Sequence, residues 1–423
     1  MRIIRGCVSA LIAAEVLAFG GVEPWANFLL ETGAAALTLS WALLCARKGR
    51  LDVHGNWLYV PMLGLCGLGA AQRALGWTVY AYATKVDLLI LLAYVLVAFL
   101  AAESIRTESG RRNITWFLAV LSSSVSLFGI VQYLSWNGKI FWMRAIPQAS
   151  SSFGPYVDRD HFAGFVELTA PFGLALLFSR AVRGEKLALA CLLAILPVGA
   201  LVLSGSRAGI VSFFLEVVVL GVALFRRAEL RSGLLRLAAF FAIAGTLILW
   251  LGAETALTRF EQLATSGVSH DRRISMSRDT FRIFRDHPWT GTGLGTLQSV
   301  FPRYESYYDG SIVNHAHNDF IELLSDTGVA GGLCGLAFIV VLFRRGFKQV
   351  RRAKSRSDLA FYSGALAAST GILLHSLADF NLHIPANALL FVVISCVTTA
   401  PAKEPAQRGT LPEFLLGQGA GLP

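Results

Sequence analysis

The sequence predicts an all-α membrane protein, a polytopic bundle of about twelve transmembrane helices with one large outer loop. Apolar stretches long enough to cross roughly 30 Å of hydrocarbon recur along most of the chain. Hydrophobic residues make up 55% of the sequence and charged residues only 15%, which excludes an ordinary soluble protein. The apolar stretches lack the two-residue alternation of barrel strands, so helices remain the way to pair the backbone within lipid.

The predicted spans follow one another along the chain and are separated by short polar or charged segments. The ends of each span are placed to within a few residues. In order, the spans are 4–21, 26–46, 57–72, 86–103, 114–134, 161–179, 187–204, 208–225, 235–251, 324–343, 359–378 and 386–400.

Basic residues in alternate loops set the expected orientation. Cytoplasmic loops carry an excess of Lys and Arg, so these loops and both termini are expected in the cytoplasm. The net charge of +10 would also fit a nucleic-acid-binding protein, but the division among alternate loops favours a membrane orientation signal, and we expect no nucleic acid partner. The clusters are Arg2 and Arg5; Arg47, Lys48 and Arg50; Arg106, Arg111 and Arg112; Arg180, Arg183 and Lys186; Arg226, Arg227, Arg231 and Arg236; Arg344 through Arg356; and Lys403 with Arg408.

The predicted organisation has four parts. Residues 1–251 hold about nine spans, residues 252–323 form a loop rich in Arg, His, Asp, Tyr and Gly, residues 324–400 hold the last spans, and residues 401–423 form a cytoplasmic tail expected to be disordered. A polar loop of this length inside a compact membrane protein usually has a function of its own. The orientation places it on the outer, periplasmic-type side.

The end of this loop, "NHAHNDFIELLSDTGVAGG" from residue 314, carries two histidines next to a helical pattern. His317 is expected one turn before the membrane-embedded part, where Asn318 can cap the helix. An imidazole at such a boundary has a pKa that can be tuned around neutrality, which suits a general base. Two alternatives are an interfacial polar belt formed with His315 and a zinc site of the His-x-His type. No third ligand follows at a metal-like spacing, so no metal is expected.

A cationic stretch, "DRRISMSRDTFRIFRDHP", lies earlier in the same loop. Its last three arginines recur at i, i+4 and i+7, on one face of a helix. Because outer arginines oppose the orientation bias, an anionic partner is expected, and a pyrophosphate can engage several guanidinium groups at once. The alternatives are a solvated face neutralised by neighbouring aspartates and contact with lipid head groups. The arginines are Arg272, Arg273, Arg278, Arg282 and Arg285.

Three shorter polar segments are expected on the same outer side. "SGSRAG" at 204–209 places Arg207 between two spans among small residues, where it could meet a polar head group or snorkel to the interface. "VDRDHFAGFVE" at 157–167 brings Asp160 and His161 to a span entrance, where they could bind substrate or lipid. "HSLADFNLHIPANA", which begins at His375, could line a sugar pocket or cap helices.

The combination of "SGSRAG", "HPWTGTGLGTL" and "AHNDFIELLSDTGVAGG" resembles the signature region of the bacterial O-antigen ligase and O-antigen polymerase superfamily. The resemblance implies a GT-C-like bundle of about twelve helices with a large periplasmic loop between late spans. It also implies transfer of a glycan from an undecaprenyl-pyrophosphate carrier to a hydroxyl without metal, nucleotide or other cofactor. The family histidine falls on His317, which the resemblance makes the catalytic base, and the family arginines fall on Arg207 and on Arg273 or Arg272. Asp326 stands where the family pattern more often has Glu.

The residues and the resemblance together predict a multi-pass glycosyltransferase of the bacterial inner membrane with its active site on the periplasmic face. His317, Arg207 and Arg273 are the expected catalytic residues. The acceptor would be a glycan or a lipid A core, with membrane lipids around the bundle. Ligation, polymerisation of repeat units and transfer to protein share this chemistry, and a flippase for lipid-linked oligosaccharides is the alternative from another class. Residues expected to bind substrate are Arg272, Arg278, Arg282, His315, Asn318, His161 and Asp160.

Overall fold

The structure is a computed structural model that describes residues 1–49, 51, 53–145, 151–225, 242, 246, 267–308 and 310–402. Most of the predicted span 235–251, the start of the predicted loop and the tail from residue 403 lie outside the described residues. The helices are α1 (Arg2–Leu17), α2 (Pro24–Arg47), α3 (Tyr59–Ala74), α4 (Ala81–Ser104), α5 (Glu108–Leu134), α6 (Arg159–Phe178), α7 (Glu185–Ser204), α8 (Arg207–Phe225), α9 (Gly267–Asp286), α10 (Leu297–Val300), α11 (Asp319–Arg352), α12 (Arg356–His375) and α13 (Pro385–Thr399). Two short strands, β1 (Lys139–Ile140) and β2 (Arg144–Ala145), pair antiparallel.

Helices occupy every predicted span that the structure describes; most of 235–251 lies outside the described residues. Among the described residues, seven helices are long and apolar enough to cross a membrane: Pro24–Arg47, Ala81–Ser104, Glu108–Leu134, Arg159–Phe178, Glu185–Ser204, Arg207–Leu224 and Asp319–Arg352. The helix Pro385–Thr399 is apolar but shorter. A mostly helical chain with several such spans is a polytopic membrane protein, because only helices and closed barrels pair the backbone within lipid.

Helix α6 is the centre of the bundle, since its side chains from His161 to Phe178 are all buried. It packs against α5, α7, α8 and α12. Small residues allow this close approach: a Cβ at Gly173 would lie 3.1 Å from the Leu193 carbonyl oxygen of α7. Lipid hydrocarbon is as apolar as a leucine side chain, so burying such side chains gains little within a membrane. Helices in lipid therefore associate through close van der Waals packing of this kind.

A buried ion pair joins the starts of α5 and α12. Nε and Nη2 of Arg111 each donate to one carboxylate oxygen of Asp358 at 2.7 Å, and Nη1 donates to the Arg106 carbonyl at 2.6 Å. The paired geometry uses the planar fork of the guanidinium group, which suits a site with little water. This contact fixes one end of the bundle, at the side of the basic clusters.

The opposite end of the bundle, called the site end here, holds the starts of α6, α8, α11 and α13 and the connection 376–384. Asn387 of α13 donates to the His161 carbonyl at 2.9 Å and accepts a hydrogen bond from the Tyr156 hydroxyl at 3.0 Å. These buried contacts hold the start of α6 against the start of α13. The polar side chains of the predicted site lie on this frame.

Candidate functional site

Several hydrogen bonds tie the start of α11 to the connection 376–384. The Asn318 side chain accepts from the backbone N–H groups of Phe320 and Ile321 and donates to the Leu377 carbonyl at 2.9 Å. The backbone N–H of Asp319 donates to the Ser376 carbonyl at 3.0 Å. Asn318 therefore caps the helix, as the sequence predicts, and also fixes its position against the last helices.

His317 lies directly before this cap and has a left-handed backbone, with φ of 51°. Its Nδ1 lies 2.9 Å from Oδ1 of Asp379. A carboxylate at this distance holds the Nδ1–H tautomer and leaves the Nε2 lone pair available as a base. The His317 side chain is 27% exposed and that of Asp379 only 2%. One side of the imidazole therefore contacts a buried carboxylate, while another part of the ring is open to solvent.

Arg273 of α9 reaches the same cluster. Its Nη2 donates to Oδ2 of Asp160 at 3.0 Å and its Nη1 donates to the Ala378 carbonyl at 3.1 Å. Burial would raise the pKa of Asp379, but the hydrogen bond from His317 and nearby positive charge, including that of Arg273, hold this pKa well below its usual range. Asp379 is therefore an anion that is stabilised by a hydrogen bond to His317 and by the nearby charge of Arg273.

Arg207 begins α8, beside this cluster. The preceding residue, Ser206, is buried and lies near the carboxylate of Asp160, which also binds Arg273. Within the part of the chain that the structure describes, the guanidinium group of Arg207 has no hydrogen bond or ion pair. The structure thus brings His317 and Arg273 together and places the start of α8 next to them.

Phe380 is the apolar centre of the site. The rings of His161, His315 and His317 lie 4.6, 4.4 and 4.8 Å from the Phe380 ring, measured between centroids. The His315 ring is stacked on it, whereas the other two approach by an edge. His161 is buried and its Nε2 has no described partner. A single aromatic ring therefore sets the positions of three histidines.

His315 belongs to a different set of contacts from His317. Its Nδ1 lies 2.8 Å from Oε1 of Glu322, and Nε2 of His383 lies 3.4 Å from the same oxygen. Asp319 lies beyond His383, with Oδ1 2.7 Å from the Nδ1 of that histidine. Burial would lower the pKa of His383, but the charges of Glu322 and Asp319 raise it to about 10.

Among the described residues, two groups of side chains have donor atoms close enough to hold a metal ion, with the donor atoms of each group within 4.8 Å of one another: His315, Glu322 and His383, and Asp160, His375 and Asp379. In the second group, Asp160 already accepts a hydrogen bond from Arg273, and Asp379 already pairs with His317. The first group includes a buried carboxylate between two partly exposed imidazoles.

A sequence model of the O-antigen ligase family matches residues 192–336. Over these residues the chain is similar to the O-antigen ligase family. The matched region contains Arg207, Arg273 and His317, while Asp160 and Asp379 lie outside it. No curated protein matches the chain.

The other arginines of the O-antigen ligase region are placed differently from Arg273. Arg278, Arg282 and Arg285 are exposed, and Arg282 pairs with Asp279 at 3.1 Å. Arg272 donates to the Ser311 hydroxyl, within the loop. The predicted cationic face therefore exists, but the described contacts do not join it to the His317 cluster.

The sequence did not single out Asp379, Phe380 and His383 as site residues, although their segment was seen as polar. Asp319 begins the predicted helical pattern, and Glu322 lies within it. The available signal was the clustering of His, Asp and Asn at 375–388, at the outer end of two predicted spans. Spacing alone gave no partner for any of them.

The glycine-rich segment "GTGLGTL" of the O-antigen ligase region packs against the kinked start of α11. The backbone N–H of Gly293 donates to the Asp326 carbonyl at 2.9 Å, and that of Gly295 donates to Oδ2 of Asp326 at 2.8 Å. Gly291 has φ of 69°, and a Cβ there would lie 2.2 Å from the Asp326 carbonyl carbon. Glycine is needed at this position both for its backbone conformation and for the close approach.

We expect Gly291→Ala to destabilise the protein by about 1–3 kcal/mol more than Gly310→Ala. Both glycines have positive φ, so both variants carry a similar backbone strain, but nothing lies within 4 Å of a Cβ at Gly310. Thermal unfolding of the two variants in the same detergent measures the difference. Equal midpoints for the two would contradict a tight contact between this segment and α11.

Proposed function

We propose that the protein is a glycosyltransferase that moves a glycan from a polyprenyl-pyrophosphate carrier to an acceptor hydroxyl. One observation carries the proposal: His317, oriented by the buried Asp379, lies beside Arg273 within a chain whose O-antigen ligase region contains both His317 and Arg273. A base and a cation at one helix end are the two groups that displacement of a pyrophosphate requires.

The histidine acts on the acceptor. Asp379 accepts from Nδ1 of His317, so Nε2 takes the proton of an acceptor hydroxyl as the oxygen attacks the anomeric carbon. The bond between the anomeric carbon and the pyrophosphate oxygen breaks in the same step, and single displacement inverts that carbon. Positive charge that develops on the imidazole is stabilised by the carboxylate of Asp379. The step needs no metal and no nucleotide.

The arginines act on the leaving group. Negative charge grows on the departing pyrophosphate, and guanidinium groups placed there stabilise the transition state more than the ground state. Arg207 has no partner among the described residues, and Arg273 uses two of its five N–H donors on Asp160 and Ala378. Both therefore have donors left for phosphate oxygens. Arg272, Arg278 and Arg282 would bind more distant parts of the donor or lipid head groups.

The orientation proposed for the protein puts the site end on the periplasmic face of the bacterial inner membrane. The starts of α1, α5 and α12, and the ends of α2 and α11, carry basic residues and lie at the opposite end of the bundle. Because basic loops favour the cytoplasm, both termini would be cytoplasmic. The lipid of an undecaprenyl-pyrophosphate donor would lie between helices, with its glycan at the site end.

The acceptor would be a growing glycan or a lipid A core, bound where His161, His315 and Asn318 meet the exposed edge of His317. Ligation to a core and polymerisation of repeat units use the same chemistry at this site. In cells lacking the protein, loss of long chains with single units retained indicates a polymerase. Accumulation of free lipid-linked chains indicates a ligase.

A flippase for lipid-linked oligosaccharides is the second candidate, because buried carboxylates occur within the helices. Glu15, Glu167 and Glu216 are each at most 1% exposed, and all three have a carboxylate oxygen with no described partner. Such groups inside a membrane bundle are typical of ion-coupled transport. Transfer of glycan by the purified protein from a lipid-linked donor separates the two functions, since a flippase makes no new glycosidic bond.

We expect His317→Asn to lower transfer from a lipid-linked donor by about 10²–10⁴-fold, the range that a general base contributes. Asparagine tolerates the left-handed backbone found at this position, so the variant tests the lost base rather than lost folding. Release of the polyprenyl pyrophosphate is measured with the purified protein. His287→Asn, at an exposed position after α9, is the matched control; undiminished transfer by folded His317→Asn would remove the base assignment.

We expect Arg207→Lys and Arg273→Lys each to lose about 10²–10³-fold in transfer, because an ammonium group lacks the fork that binds two phosphate oxygens. Arg285→Lys, at an exposed position on α9, should keep full activity. The same release assay is used for all three variants. Wild-type rates in either lysine variant would argue against a bidentate contact with the pyrophosphate.

A further inference from the structure

The group of His315, Glu322 and His383 has a geometry that the proposed chemical step does not use, although His315 also borders the proposed acceptor site. His315 Nδ1 lies 2.8 Å and His383 Nε2 lies 3.4 Å from Oε1 of Glu322. Ligands around a tetrahedral zinc ion, at about 2.0–2.2 Å from the metal, are separated by about 3.3–3.6 Å. His383 Nε2 and Glu322 Oε1 are therefore at the spacing that one zinc ion imposes, and all three donor atoms lie within 4.8 Å of one another. The distance between His315 Nδ1 and Glu322 Oε1 would have to increase by about 0.5–0.8 Å.

The surrounding hydrogen bonds orient these donor atoms toward one point. Asp319 Oδ1 lies 2.7 Å from Nδ1 of His383, which fixes the Nδ1–H tautomer and turns the Nε2 lone pair toward Glu322. The backbone N–H of Ala316 donates to Oε2 of Glu322 at 2.8 Å, leaving Oε1 for the site. A carboxylate that holds the far nitrogen of a ligating histidine is the usual outer partner of a zinc ligand.

The facing atoms of this group require a cation between them. With Nδ1–H directed at Asp319, the Nε2 lone pair of a neutral His383 points at a carboxylate oxygen, and two lone pairs repel each other. Glu322 is 2% exposed, so water screens this repulsion little. Either a proton or a metal ion can occupy the position, and three convergent donors are the number that a zinc ion with one open position takes.

We propose that His315, Glu322 and His383 form a zinc site. Two imidazoles and one carboxylate are a donor set that zinc accepts, with a fourth position left for solvent. The His315 and His383 side chains are 31% and 25% exposed, which gives the ion a path from solution. The ion joins the loop before α11 to the connection 376–384, so its role is to hold the segment that carries His317. The site does not depend on the proposed transfer reaction and differs from a His-x-His pair, since His317 turns to Asp379 instead.

Zinc binding to the full chain, purified without a polyhistidine tag, tests this inference. After removal of metal with a chelator, the protein is equilibrated with Zn²⁺ against a competing chromophoric chelator. We expect one zinc per chain and a rise in the thermal midpoint on zinc addition, with tetrahedral visible absorption bands when Co²⁺ replaces zinc. Failure of wild-type protein to retain zinc or to give the cobalt bands would overturn the site, with a proton then serving between the donors.

Variants separate this site from adventitious binding. Glu322→Gln and His383→Gln should each lose at least about 100-fold in zinc affinity, and Asp319→Asn, which alters only the outer partner, about 10–100-fold. His54→Gln is the matched control, because His54 and Glu103 form another histidine–glutamate pair, at 3.0 Å. Unchanged affinity in Glu322→Gln and His383→Gln would contradict the assignment. If either of these fails to fold, the Asp319→Asn affinity and the wild-type cobalt spectrum still decide it.

Discussion

The buried negative charge of Asp379 is the constraint on which the site depends. Its side chain is 2% exposed, and an unpaired carboxylate at such a position would cost several kcal/mol. His317 and Arg273 offset this cost, and they come from the loop before α11 and from α9. Compensation of the Asp379 charge therefore brings together segments that are distant in the sequence. The same contacts leave the exposed edge of an imidazole and spare guanidinium donors facing outward.

Rigid helix ends give this arrangement its precision. The caps and backbone hydrogen bonds at the starts of α6 and α11 fix His161 and His317, and Phe380 holds both rings from one side. Asp160 accepts a hydrogen bond from Arg273 and lies near Ser206, so the start of α8 lies against the same frame. Sites built on packed helices keep their geometry better than sites on loops. The glycine-rich segment also fixes α11, because Gly293 and Gly295 donate hydrogen bonds to Asp326 near its kink.

The sequence predicted the helices of the described apolar stretches and the helix cap before α11, because both depend on local patterns. Apolar length marks spans, and Asn318 beside an apolar helical pattern marks a cap. The partner of His317 was not predictable in this way, since Asp379 is 62 residues away and meets it only through tertiary packing. The two histidines looked like one pair at i and i+2, but the structure directs them to different carboxylates. On α9, Arg282 follows Arg273 by about two and a half turns, which places the two side chains on opposite faces of the helix. Helical spacing alone therefore indicates that they do not act at one site.

The central claim is that Asp379 orients His317 for proton transfer. Its most direct test is the turnover number of Asp379→Asn and Asp379→Glu in a purified transfer assay, with the apparent affinity for donor and acceptor measured in parallel. The account predicts a turnover number lowered by about 10-fold or more in Asp379→Asn, little change in either apparent affinity, and partial recovery in Asp379→Glu. A folded Asp379→Asn with the wild-type turnover number would contradict it.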